Sequence, residues 1–147
     1  MKRAPRKAAG IPAALPPEPD LAELSRLARR ARRLAFAPFS RFKVGAALRT
    51  RTGEVVTGCN VENASYGLTL CAERVAVFKA VSEGMRRFDA IAVVADSKRL
   101  TPPCGPCRQI LWEFCGDIEL TLVNPRGKIE TIRLKDIFPR PFDASFL

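Results

Sequence analysis

Ala90-Ile91-Ala92-Val93-Val94-Ala95 is the stretch on which the fold turns. Its apolar residues follow one another without polar alternation, as in a strand covered on both faces. Such a strand needs helices on both sides of its sheet, and the flanking sequence supplies them. Upstream, Cys71 to Glu83 carries Val75, Ala76, Val77, Phe78, Ala80 and Val81, apolar around most of its girth. That is a central helix, with Gly84 as its stop. Downstream, Pro106 suits a first helical turn. Ile110, Leu111, Phe114 and Cys115 then form an apolar stripe that Gly116 ends.

Further out, Asp20 reads as an N-cap with Glu23 completing a capping-box pattern. Leu21, Leu24, Leu27, Ala28, Ala31 and Leu34 recur at helical spacing, so an amphipathic helix runs from there and ends before Pro38. Val44 to Leu48 and Glu54 to Val61 read as strands around Arg51-Thr52-Gly53, a hairpin. Ile118 to Val123 alternates as a strand, Asn124-Pro125-Arg126-Gly127 is a type I turn pattern, and Ile129 to Leu134 returns. The predicted architecture is α/β: a three-layer α/β/α sandwich around a mixed five-stranded sheet. Residues 1–19, rich in Ala, Pro and basic residues, read as a disordered extension. Residues 20–147 read as a single domain.

The chain has 147 residues, 47% of them hydrophobic, enough for a proper core. Its five cysteines follow no secretory signal, and no apolar run is long enough for a membrane span. The expectation is a cytoplasmic protein with free or metal-bound thiols. The net charge of +10 invites a nucleic-acid reading. Much of the excess, however, is local to the first residues and to Arg26, Arg29, Arg30, Arg32 and Arg33, the pattern of a solvated helix face behind a basic tail.

Two segments carry chemistry: Cys71-Ala72-Glu73-Arg74 and Pro103-Cys104-Gly105-Pro106-Cys107-Arg108-Gln109. The chain has no histidine, so every Ser-His or Cys-His pair and every imidazole ligand is excluded. Cys104 and Cys107, three apart at a helix start, can face one point, and Cys71 opens another helix. Helix N-termini favour anionic thiolates. Side chains lean toward the N-terminus, so Glu73 can reach over the helix end toward the same metal. Three protein ligands leave a fourth position open, the arrangement of a catalytic zinc site. Three thiolates leave Zn²⁺ at about −1, which weakens its pull on water. Arg74, or else Arg108, could hydrogen-bond the sulfurs and withdraw charge. A closed four-sulfur site using Cys59 or Cys115 is the competing reading, although only one Cys-x-x-Cys unit is present. Cys59 and Cys115 otherwise fit as small core residues.

The two segments fit [His or Cys]-x-Glu followed by Pro-Cys-x-x-Cys, a known signature of zinc deaminases. Beyond it, the chain from about Asp20 onward resembles the small homotetrameric cytidine deaminases with three cysteine ligands. Ala37 to Ala47 (APFSRFKVGAA), Gly58 to Tyr66 (GCNVENASY) and the two cysteine segments carry the likeness. The resemblance implies one Zn²⁺ per chain on Cys71, Cys104 and Cys107, with Glu73 moving protons between the attacking water, ring N3 and the leaving amine. It also implies that Phe42 packs on the pyrimidine, that Asn60 and Glu62 grip ribose hydroxyls, that Ala72 contacts the substrate, and that Gln109 supports the site from behind its ligands. Tyr66 and Phe142 match positions that reach into a neighbouring subunit's pocket, so the implied partner is a second copy of the chain within a homotetramer. Without the resemblance, Phe42 reads more readily as core than as a substrate platform, Asn60 and Glu62 could simply face solvent, and Phe138, Phe142 and Phe146 read almost as well as plain C-terminal packing.

The implied activity is hydrolysis of cytidine and 2′-deoxycytidine to the uridine forms, in pyrimidine salvage. A deaminase of a related aminopyrimidine nucleoside, of blasticidin type, shares the zinc core. A polynucleotide cytosine deaminase is the reading that the charge would favour. A pocket closed by neighbouring subunits leaves little room for a polymer, and the aromatic-basic interleaving of single-strand grooves is missing.

Overall fold

The computed structural model describes residues 20–147, so the extension read into residues 1–19 lies outside the described residues. The elements in order are α1 (Leu21–Arg32), β1 (Val44–Thr50), β2 (Val55–Cys59), α2 (Ala72–Ser82), β3 (Phe88–Ala95), α3 (Gly105–Cys115), β4 (Glu119–Val123), β5 (Ile129–Arg133) and α4 (Leu134–Ile137). The strands form one sheet in the order β2-β1-β3-β4-β5. β1 pairs antiparallel with β2 and β3, β3 pairs parallel with β4, and β5 returns antiparallel on β4.

The apolar run 90–95 lies in the middle strand, and its two faces part company there. Ala90, Ala92 and Val94 point with Ala47 and Val123 toward Leu24 and Ala28 of α1. Ile91 and Val93 point with Ala46, Leu48 and Leu120 toward Ala76 and Val77 of α2 and Leu111 of α3. Leu48, Ile91, Leu111 and Leu120 are fully buried, and each such side chain contributes about 1.5–3 kcal/mol of transfer free energy. The three layers are therefore α1, the sheet, and α2 with α3.

Two glycines set how closely the layers approach. A Cβ on Gly45 would stand 2.1 Å from the Ala28 carbonyl oxygen of α1, and one on Gly58 would stand 2.5 Å from the Ala72 carbonyl oxygen of α2. Both helices lie against strand backbone where only glycine leaves room.

Several boundaries differ from expectation, each for a local reason. Asp20 caps α1 through its side chain, accepting from the N–H groups of Ala22 and Glu23, but Glu23 pairs with Arg26 instead of reaching back. α1 does end before Pro38, at Arg32, short of Leu34 in the apolar pattern, and Phe36 beyond it bridges to Val61. β2 stops at Cys59 because the Asn60 side chain takes over the next ladder positions, bonding Val44 N–H and the Phe42 carbonyl. β5 gives way at Leu134 to α4, where Asp136 accepts from the Arg133 N–H.

Candidate metal centre and its cleft

The N-termini of α2 and α3 bring the three thiols together. Cys71 is the N-cap of α2, Cys104 the N-cap of α3, and Cys107 lies buried in the first turn of α3. Their Sγ atoms all lie within 4.8 Å of one another, with 3.7 Å from Cys71 to Cys104 and 3.4 Å from Cys104 to Cys107. A tetrahedral ion with metal–sulfur bonds of about 2.3 Å sets its sulfurs about 3.8 Å apart, so this donor set fits zinc with little movement. Cys59 and Cys115 stand outside the group; among the described residues only the trio could share an ion. Burial raises both outlying thiols, Cys115 to about 12, as expected of packing residues.

The trio's charge is unevenly held. Hydrogen bonding with Cys107, then with Arg74 and Cys104, holds the Cys71 thiol down to about 5, while Cys107 is raised by its bond to Cys71 and by burial. Arg74 Nη2 stands 3.6 Å from Cys71 Sγ and donates to the Thr69 carbonyl at 2.9 Å, its buried Nε having no protein partner. Arg108 does not reach the sulfurs. Its guanidinium donates to the carbonyls of Pro103 and Ile137, bracing the strand of backbone that leads into Cys104.

Glu73, in the first turn of α2, is 5% exposed. Burial pushes its carboxyl up to about 7, and the nearby Cys71 charge adds to this while Arg74 opposes it. It lies with Cys71 and Cys104 along a cleft of about 210 Å³ whose lining also includes Phe42, Asn60, Glu62 and Val93. A second hollow, lined by Phe39, Ser40, Glu62, Tyr66 and Thr69, shares Ser40, Glu62 and Thr69 with the first.

Asn60 is buried, and its amide is engaged at both ends with the backbone around Phe42, leaving one N–H and one lone pair. The Glu62 carboxylate accepts from Phe39 N–H, Ser40 N–H and the Ser40 hydroxyl, the last lowering its pKa most. Ala72 is fully buried against β2, and its side chain does not line the cleft. Gln109 donates to the Phe142 carbonyl, and Trp112 to Asp143, so the C-terminal segment is tied to α3. Phe142 itself faces outward, 59% exposed and stacked on Phe146, away from its own chain's cleft. Tyr66 is 74% exposed beside Phe39. Ser40, Thr69 and Thr101 also line the cleft; of the three, only Ser40 falls within a segment that the sequence marks, APFSRFKVGAA.

Layered helices over a mixed sheet, with three thiols clustered at two helix heads and a buried carboxyl beside them, define an α/β protein with a donor set suited to zinc. The chain belongs to the cytidine and deoxycytidylate deaminase family: the family's zinc-binding region matches residues 19–121. It is 55% identical over 111 residues to a cytidine deaminase of Halalkalibacterium halodurans, a match spanning 75% of this chain and 84% of that protein. The crystal structure of a cytidine deaminase from Burkholderia pseudomallei superposes with a TM-score of 0.80 at 47% identity, covering 83% of this chain and 98% of the other. A blasticidin-S deaminase of Bacillus cereus is 32% identical over 108 residues, 68% of this chain and 76% of that protein. Zinc is the family's metal.

Proposed function

We propose that the protein hydrolyses cytidine and 2′-deoxycytidine at C4, forming uridine or 2′-deoxyuridine and releasing ammonia. The observation that carries this reading is the buried Glu73 carboxyl set beside three clustered thiols in a cleft walled by an aromatic ring and rimmed by an amide and a carboxylate. Cys71, Cys104 and Cys107 would hold zinc, which supplies Lewis acidity and a water of lowered pKa. Glu73 takes a proton from the attacking water and passes it to ring N3. It then moves the remaining hydroxyl proton to the exocyclic amine as the C4–N bond breaks, so the water oxygen stays on C4 and the nitrogen leaves as ammonia. A carboxyl whose burial lifts it toward neutrality suits both directions of transfer.

Phe42 supplies a face for the pyrimidine, and aromatic stacking of this kind contributes about 1–3 kcal/mol per base. Asn60 and Glu62 bond a sugar hydroxyl, the 3′-hydroxyl being the ring substituent both substrates carry. Arg74 offsets the negative charge of the thiolates. Arg108, Gln109 and Ala72 act through packing and backbone anchoring. The outward Phe142 and Tyr66 support a homotetramer in which each cleft is finished by neighbours. Five unpaired cysteines fit a reducing cytoplasm and a role in pyrimidine salvage. Among the described residues, no helix is long and apolar enough to cross a membrane.

The test is the ultraviolet change on adding cytidine or 2′-deoxycytidine to zinc-loaded protein, with ammonia assayed in parallel and blasticidin S as a competing substrate. Uridine and ammonia in equal amounts are expected. A folded, zinc-loaded protein that spares both nucleosides but deaminates blasticidin S would overturn the reading.

A further inference from the structure

Phe42 and Glu62 come from different segments, and one side chain connects them. The Ser40 hydroxyl donates to Glu62 Oε1 and accepts from the Phe42 N–H at 3.0 Å. The other carboxylate oxygen, Oε2, accepts from the N–H groups of Phe39 at 2.9 Å and Ser40 at 3.2 Å. All three donors come from a single tight turn, closed by the Arg41 N–H on the Ala37 carbonyl at 3.1 Å. Arg41 leaves this turn in the left-handed region at φ 58°, a conformation non-glycine residues adopt only when the surroundings hold them there.

An ionised carboxylate only accepts and offers about four lone-pair sites. Two on Oε2 and one on Oε1 are taken by the turn, which leaves a single site, on Oε1, for a substrate hydroxyl. Oε2 is pinned by rigid backbone donors. Oε1 is pinned by Ser40 alone.

We propose that Ser40 is a positioning residue: its hydroxyl aims the one free acceptor site of Glu62 at the sugar 3′-hydroxyl and so sets the requirement for that hydroxyl. This rests on the nucleoside reading given above. Ser40 touches no reacting atom, so its effect falls on substrate binding and leaves the chemical step alone. A polar site built to bond a hydroxyl discriminates against the analogue that lacks it, and loosening the site erodes that discrimination.

The experiment compares full-length, zinc-loaded wild type, Ser40→Ala and Ser40→Thr on 2′-deoxycytidine and 2′,3′-dideoxycytidine, substrates that differ only in the 3′-hydroxyl. For Ser40→Ala the KM for 2′-deoxycytidine is expected to rise about tenfold, the loss of one charge-assisted hydrogen bond, with kcat within about twofold. The KM for the dideoxy substrate is expected to stay put, and Ser40→Thr, which keeps the hydroxyl, to recover the wild-type ratio. Ser40 is exposed, and zinc content read alongside reports whether the alanine variant keeps its fold. An unchanged KM ratio, or an equal rise on both substrates, overturns the role assigned to Ser40 while wild-type turnover stands. A zinc-loaded wild type inert toward 2′-deoxycytidine overturns the nucleoside reading, and Ser40's role with it.

Discussion

In the proposed reaction the Glu73 carboxyl both receives and surrenders a proton, which separates it from its isosteric amide. Glu73→Gln keeps the volume and the neighbouring thiols, so the variant should still bind one zinc per chain by elemental analysis. Its turnover should fall by about 10²–10⁴-fold, the usual contribution of a positioned proton carrier. Full turnover in that variant would remove Glu73 from the reaction. On the same proposal Arg74 acts at one remove: its guanidinium lies against Cys71 Sγ, and Arg74→Gln should keep zinc while kcat drops roughly tenfold, the lower end of what partners of metal ligands supply. An unchanged kcat would mean the thiolates need no such counter-charge. The thiol trio and Glu73 were legible in the sequence because each pair stands at a predicted helix start, where Cys104 and Cys107 face one point and Cys71 and Glu73 can reach over their own helix end; that the two helix heads meet is what the fold adds. Arg74 was legible because three residues on a helix return to the same side. Arg108 stands in a similar relation to Cys104, but the Pro103 and Ile137 carbonyls claim its guanidinium; a sequence displays the donor and hides the acceptor that wins it. The Ser40–Glu62 tie was hidden for the same reason, since it depends on a left-handed turn at an arginine.

The placement of α2 decides where Cys71 and Glu73 stand, and Gly58 decides the placement of α2. A Cβ at residue 58 would lie 2.5 Å from the Ala72 carbonyl and 2.6 Å from the Ala76 nitrogen, both backbone atoms that yield only if the helix moves. Gly58→Ala should cost about 1–3 kcal/mol of stability, as overpacking does, and should also weaken zinc binding in competition with a chelator. Gly45→Ala crowds α1 instead, so its melting temperature should fall while zinc affinity holds. Equal chelator curves for the two variants would show that the α2 contact does not govern the metal site. At the far end of α3, Asp117 accepts from the Lys135 N–H and pairs with Arg133 and Lys135. Burial works against its charge, but these bonds and charges outweigh it and hold its carboxyl below the ordinary 3.8. A lowered folded pKa adds stability above that ordinary value and loses it as acid protonates the group. Asp117→Asn should therefore melt lower than wild type at pH 7, by less than about 1 kcal/mol for so exposed a pair, and the gap should close below about pH 4. A gap independent of pH would assign the effect to packing. The strands and main helices were legible because apolar periodicity marks them, whereas α4 and the ends of α1 and β2 follow from local hydrogen bonds that periodicity does not encode.

The molecule as a whole presents a cleft whose own chain leaves it open and two aromatic residues, Phe142 and Tyr66, turned outward at 59% and 74% exposure. The Gln109 and Trp112 hydrogen bonds fix the segment carrying Phe142 onto α3, so the ring is presented from a braced surface rather than from a loose tail. If neighbours finish each cleft, the residues of one working site belong to different chains, and two separately crippled chains can complement each other. A Glu73→Gln chain lacks the proton carrier but offers an intact Phe142; a Phe142→Ala chain has Glu73 but offers its neighbour no ring. In random mixed tetramers of equal amounts, about a quarter of the clefts combine Glu73 from one chain with Phe142 from another. Co-refolded or co-expressed variants should thus regain kcat/KM approaching one quarter of wild type, well above the average of the two alone, with a tetramer by light scattering. The gain should disappear on dilution to monomers. Activity equal to the simple average, in a mixture shown to contain both chains in each particle, would mean that every cleft is complete within its own chain and that Phe142 only packs the interface.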